Sequence, residues 1–305
     1  MPTEYIHFTA GQKEAARQTD LVALLKSQGE RLKRSGKEYV WRDGSEKVTV
    51  RGNLWFHQYE RIGGDAVDFV RRFYNMDFPQ AVNFLLGNNG GTLPQAEPVK
   101  REPPKPFTLP PKNDNMRRVY AYLLNRRGID REVLSAFVHK GMIYESADYH
   151  NAVFVGYDEK GIARHAHKRG TGSESTYKGN AESCDPRYSF HWTGTDNTLY
   201  LFEAPIDMLS FISLHKENWR SHNYAAACCV GDQVLFQMLQ ANPNIDTVCL
   251  CMDNDAAGQA ANKRISDKLF IQGIKHDVLV PEFKDWNEDL LYDEQEETEC
   301  QTLQL

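Results

Sequence analysis

From Thr198 onward the chain alternates short apolar runs with helix-like segments, and this alternation limits the fold more than any other feature. The apolar runs lie at 199–202, 225–230, 247–252 and 276–280, with helical patterns at 206–215, 233–241 and 256–270 between them. Short apolar runs without polar alternation read as strands covered on both faces. Strands joined by helices run parallel. The expected fold class is α/β, a parallel sheet flanked by helices.

Two of these strands end in acid. Run 199–202 delivers Glu203, and Asp207 follows four residues later in the first helical turn. Run 247–252 delivers Asp253 and Asp255, whose i, i+2 spacing on extended backbone points both carboxylates the same way. Open parallel sheets bind ligands outside the carboxyl ends of their strands. Ala256, Ala257, Gly258, Ala260 and Ala261 let the next helix start close to the sheet. Carboxylates about 4 Å apart at an effective dielectric near 20 repel by roughly 4 kcal/mol per pair. They therefore retain protons or gather around a divalent cation. Oxygen ligands favour Mg²⁺, with Mn²⁺ the alternative, over zinc. By itself, Asp253-x-Asp255 is also the sequence of a polar loop in which Asp255 caps a helix.

The rest of the chain divides by composition. Residues 1–87 read as a small α+β domain, with a helix at 20–25, strands at 39–41, 47–50 and 53–56, and a helix opened by Gly63-Gly64-Asp65. A further helix starts at Phe78 and stops at Gly87. Between 88 and 115 proline recurs from Pro94 to Pro111, the mark of a semi-rigid linker. Residues 116–196 begin with an apolar face of Val119, Tyr120, Leu123 and Leu124, followed by a helix at 131–138 and a strand at 151–158. Gly170-Thr171-Gly172-Ser173 lacks the ending and the strand-to-helix setting of a phosphate cradle and reads as a loop.

The net charge of −6 is unevenly spread. Acid crowds into a tail at 291–305, whereas base gathers at Arg31, Lys33, Arg34 and Lys37, at Arg126, Arg127 and Arg131, and at Arg164, Lys168 and Arg169. Such clusters are solvated faces or phosphate tracks. The six cysteines form no C-x-x-C pair, so they support neither a zinc ribbon nor a redox motif. No apolar run approaches the roughly 18 residues that span a bilayer, and the N-terminus lacks a signal pattern. A cytoplasmic protein without membrane contact is expected.

The pair Glu203-x-x-x-Asp207 with the later Asp253-x-Asp255-x-x-Gly258 resembles the Toprim domain of bacterial primases, topoisomerases and some nucleases. Further motifs resemble the primases in particular. Tyr122-Leu123-Leu124-Asn125-Arg126-Arg127-Gly128-Ile129 is similar to the helix that opens the primase core, and 153–158 to its first strand. Tyr177-Lys178-Gly179-Asn180 and Lys284-Asp285-Trp286-Asn287-Glu288 resemble two later core segments. Residues 54–70 resemble the last zinc knuckle of the primase zinc-binding domain and its following helix. That family has cysteines where His57 and Glu60 stand here. A structural zinc needs four close N or S ligands. No zinc is expected, and packing of Tyr39, Trp41, Trp55 and Phe56 is expected to hold the domain instead.

The resemblance implies a zinc-ribbon-like domain at 1–87, a primase-core N-terminal subdomain at 116–196 and a Toprim domain at 197–290. It implies that Glu203, Asp253 and Asp255 bind catalytic Mg²⁺ with Asp207 in support, and that Lys168, Arg169 and Lys178 hold nucleotide phosphates or template. Zinc-less relatives of this kind are similar to proteins of plasmids and integrative elements. The function implied is a primase-like nucleotidyltransferase acting on single-stranded DNA in replication or transfer of a mobile element. Its partners would be nucleotides and a helicase or relaxase of that element. A Toprim nuclease and a non-catalytic DNA-binding regulator are the alternatives.

Overall fold

The computed structural model describes residues 8–43, 46–58, 60, 62–87, 94–96, 105–228 and 231–293, which fall into two compact units, 1–103 and 104–305. Cys229, Cys300, the linker positions 88–93 and 97–104, and the acidic tail from 294 lie outside the described residues.

In the first unit, α1 (Ala10–Arg17) and α2 (Leu21–Ser27) precede β1 (Leu32–Ser35), β2 (Glu38–Asp43), β3 (Glu46–Arg51), β4 (Leu54–His57) and β5 (Gly63–Gly64). The strands form one antiparallel sheet in chain order. α3 (Ala66–Phe73) and α4 (Phe78–Leu85) follow, each opened by an aspartate capping box, Asp65 and Asp77. Sequence reasoning did not give α1 or β1: α1 is a polar helix, and β1 reads only as a basic cluster. Strand alternation sends Trp41 and Trp55 into the core, where both pack edge-on against Phe73. It sends Phe56 outward at 37% exposure, so Phe56 is not part of the packing expected of it. His57 is buried, stacks on Phe73 and accepts the Glu60 N–H through Nδ1 at 3.0 Å. Glu60 in turn accepts from Arg72 at 2.7 Å.

The second unit begins with a stretch of the proline-rich segment. Phe107 and Leu109 pack on Tyr144, Val153, Val155 and Ala166, and the Pro110 carbonyl accepts from the Tyr144 hydroxyl at 2.6 Å. Then come α5 (Arg117–Tyr120), continued by a π-helical turn over Ala121–Arg126, and α6 (Arg131–His139). β6 (Ile143–Glu145), β7 (Ala152–Tyr157), β8 (Ala163–Arg169) and β9 (Lys178–Asn180) form an antiparallel meander.

The remaining elements are β10 (His191–Trp192), β11 (Thr198–Phe202), α7 (Pro205–Leu214), β12 (Asn223–Ala226), α8 (Gln233–Ala241), β13 (Thr247–Cys251), α9 (Ala256–Ile271) and β14 (Lys275–Val278). The sheet order is β10-β12-β11-β13-β14. The last four strands run parallel and β10 joins antiparallel, so the sheet is mixed at one edge rather than wholly parallel. Alternation along the strands feeds two cores. Phe202, Tyr224, Ala226, Cys249 and Cys251 face α6 and α7, whereas Leu199, Leu201, Ala225, Val248 and Leu250 face α8 and α9. That double burial is why the runs at 199–202 and 247–252 carry no polar alternation. The run at 276–280 departs from the expectation: β14 is an edge strand, and Val278, Leu279 and Val280 are exposed rather than covered.

Candidate catalytic cavity

β11 and β13 are parallel neighbours, with Phe202 opposite Cys251. Their chains therefore leave the sheet side by side, and Glu203 and Asp253 emerge at adjacent strand ends. Pro205 opens α7, which sets Asp207 in its first turn, buried. Asp255 caps α9, its Oδ1 accepting from the Ala257 and Gly258 N–H groups at 2.9 Å each. A Cβ on Gly258 would collide with the Asp253 carbonyl oxygen, so only glycine lets α9 start this close to β13.

Glu203, Asp207, Asp253 and Asp285 line one cavity together with Arg127, His167, Arg169, Lys178 and Lys284. Asp255 and Lys168 are not among the lining residues. Asp255 is held in the helix cap. Lys168 pairs with Val153 on the meander's other face, while His167 and Arg169 point to the cavity side. The Lys168 Nζ lies 5.7 Å above the Tyr177 ring.

Two of the cations, Arg127 and Arg169, are braced by hydrogen bonds. The Tyr122 hydroxyl accepts from Arg127 Nε at 3.1 Å and from Arg169 Nε at 3.3 Å. Arg127 also donates to Asn287 Oδ1 at 2.9 Å, and Asn287 Nδ2 donates to the Arg127 carbonyl and to Ser210 Oγ. Trp286 Nε1 donates to the Cys251 carbonyl at 2.9 Å, which fastens the 284–287 segment to the end of β13.

The acids sit uneasily together. Burial, then the charges of Glu203, Asp285 and Asp255, push the Asp253 carboxyl up to about 7. Asp207 is raised well above the carboxylate range by burial and by Asp253, Asp285 and Glu203. Burial also raises Glu203, against the pull of Lys178. Asp253 Oδ1 is buried and makes no hydrogen bond among the described residues.

Among the described residues no three acidic, histidine or cysteine side chains are grouped so as to hold an ion by themselves. The cap uses only Oδ1 of Asp255, and its charge still bears on both Glu203 and Asp253. The donor set still fits Mg²⁺, which keeps several waters and takes one or two carboxylates together with substrate phosphates. Asp253, with its unbonded oxygen, and Glu203 at the next strand end supply that pair.

The sequence patterns do not mark Arg127, His167, Lys284 or Asp285 as site residues. Arg127, Lys284 and Asp285 lie inside motifs that were visible. His167 carried no signal, because β8 (A-R-H-A-H-K-R) lacks the apolar alternation of a strand.

Residues 200–290 match the family described as Toprim-like, and residues 121–196 match the one described as "Protein of unknown function (DUF3991)". The chain is 25% identical over 274 residues to an uncharacterized protein of Bacillus anthracis, pXO2-78, covering 85% of this chain and 79% of that protein. The Aquifex aeolicus primase, in its zinc-binding and RNA polymerase domains, is similar at a TM-score of 0.40 and 16% identity, over 96% of this chain and 85% of that one. The primase fragment of the bacteriophage T7 primase-helicase protein gives a TM-score of 0.44 and 20% identity, over 59% of this chain and 73% of that one. The chain carries a Toprim-like domain at residues 200–290.

Proposed function

We propose that this protein is a primase-like, Mg²⁺-dependent nucleotidyltransferase that works on single-stranded DNA in the cytoplasm, in replication or transfer of a mobile element. The observation that carries this reading is the cavity itself, which four carboxylates share with arginine and lysine side chains at the strand ends of a Toprim-like domain. The primase-like motifs around Tyr122, Lys178 and Asp285 support it.

A triphosphate with its divalent cation satisfies both signs of charge. Arg169, Lys178 and Lys284 bind its oxygens, and Arg127, held by Tyr122 and Asn287, sets one side of the cradle. Glu203 and Asp253, with Asp255 beside them, would hold Mg²⁺, which would supply charge neutralisation at the phosphates during attack by a 3′-hydroxyl. Asp207, buried in the same cavity, holds a proton while the acids stand alone and would give it up when positive charge enters. A helicase or relaxase of the same element would deliver the template.

Extension of oligonucleotides from labelled NTPs on single-stranded DNA tests the reading. Asp253→Asn should lower the rate by on the order of 100-fold or more, the scale of losing a main electrostatic contact in a transition state. Cleavage of the DNA without NTPs would instead make the protein a Toprim nuclease. DNA binding with neither activity, unchanged in Asp253→Asn, would make it a regulator.

A further inference from the structure

One ring in the cavity takes no part in the reaction above. His167 is 4% exposed and lines the cavity beside Arg169. Its Nδ1 lies 2.7 Å from Asn180 Oδ1, and Asn180 Nδ2 donates to the Cys228 carbonyl at 3.1 Å. A carbonyl only accepts, so the amide nitrogen of Asn180 faces Cys228 and its oxygen faces the imidazole. An acceptor there places the proton on Nδ1 and leaves Nε2 with a lone pair. Burial, with the charges of Arg169, Lys178 and Lys168 behind it, lowers the ring's pKa to about 4 despite the Asn180 bond. The imidazole is therefore neutral near pH 7. It is too weak a base there to serve well as a proton acceptor. Hydrogen-bond acceptance is its remaining use.

Strand register indicates what it accepts from. Arg169 pairs with Lys178 and His167 with Asn180 across β8 and β9. The imidazole thus shares a face with the phosphate-binding cations and stands two residues, roughly 7 Å, along the strand from them. That is the span from a nucleotide's phosphates to its sugar. A lone pair accepts only from a donor, and a nucleotide's donors are its sugar hydroxyls and the N–H groups of its bases. Templated synthesis takes each base in turn, so a fixed contact must lie on the part they share.

We propose that His167 is a specificity residue for the nucleotide sugar, its Nε2 accepting a hydrogen bond from a ribose hydroxyl while the phosphates lie on Arg169 and Lys178. The assignment rests on the nucleotide-polymerising reading of the same cavity.

Calorimetry on the full chain with Mg²⁺ and no template separates the two. The titrants are ATP, 2′-deoxy-ATP, 3′-deoxy-ATP and inorganic tripolyphosphate. The wild type should bind ATP about 5–10-fold more tightly than the analogue lacking the hydroxyl that is read, the scale of one hydrogen bond. The weaker analogue identifies the 2′ or 3′ position. His167→Phe should abolish that preference and leave tripolyphosphate binding unchanged, while His167→Gln, which keeps an acceptor oxygen, should restore part of it. Should His167→Phe also disturb tripolyphosphate, ¹⁵N-histidine spectra of the wild type decide. An Nδ1–H tautomer whose Nε2 signal moves with ATP and not with tripolyphosphate supports the role, and an Nε2–H tautomer overturns it. Equal affinity for ATP and both deoxy analogues overturns the sugar assignment alone. Failure of the wild type to bind ATP or tripolyphosphate removes the nucleotide reading and this assignment together.

Discussion

Asp253 lies partly buried at the end of β13, with Glu203 and Asp285 as charged neighbours that, after burial, push its carboxyl up to about 7. An ordinary aspartate titrates near 4, so the folded state holds this proton more tightly than the unfolded chain does. Ionising it therefore costs stability, not at all below about 4 and fully above about 7. In EDTA at pH 8, Asp253→Asn should melt higher than the wild type by roughly 2–4 °C, the shift that 1 kcal/mol gives a unit of this size. The gap should close at pH 4, and Mg²⁺ at pH 8 should raise the wild type but not the variant. A gap that stays constant across this range would refute the assignment. Glu145 is the opposite case. Burial alone would raise it, but its carboxylate accepts from the Arg118 and Val119 N–H groups, from Asn113 Nδ2 and from the His150 ring, and the net effect is a lowered pKa. Its contribution is present above the unfolded value and is lost as pH falls through the folded one. Glu145→Ala leaves those donors unmet and should cost on the order of 2–3 kcal/mol in urea unfolding at pH 7. The loss should shrink in acid.

At the level of elements, the junction between β13 and α9 decides whether the acids meet. Gly258 lies against the Asp253 backbone with no room for a methyl group. Gly258→Ala should push α9 away from the strand and move Asp253, at a cost of about 1–3 kcal/mol for the overpacking. Nucleotidyl transfer should fall by more than this loss of stability explains. A variant that melts lower but retains full activity would show that the carboxylate tolerates the shift. The π-helical turn at Ala121–Arg126 has a comparable role for the cations, because the chain leaves it at Arg127, which lines the cavity. Irregular turns of this kind recur where a helix must aim a side chain.

Across the whole molecule, the described cores stay within one unit or the other. One cluster gathers α1–α4 and the first sheet, and three others belong to the second unit. Residues 105–293 expressed alone should therefore unfold cooperatively and keep the cavity's affinity for tripolyphosphate. A fragment that is molten by near-ultraviolet circular dichroism would show that the first unit is needed for folding. Among the described residues no helix is long and apolar enough to cross a membrane.

The sequence by itself determined the strand-and-helix alternation after Thr198 and the two strand ends that carry Glu203 and Asp253, because burial on both faces of β11 and β13 writes an unbroken apolar run, although the apolar run at 276–280 belongs to an exposed edge strand. It did not determine α1 or β8, whose residues are largely polar, nor the antiparallel edge strand β10, which is only two residues long. The tertiary structure alone decided which polar groups share the cavity. Alternation on β8 admits His167 and Arg169 and turns Lys168 away, a choice fixed by strand register. Asp255, inseparable from Asp253 by pattern, caps α9 through Oδ1, whereas Asp285 and Lys284 arrive from a segment pinned to the sheet through Trp286. Local pattern records which face a residue must bury. Only the packed chain records which distant charges become neighbours.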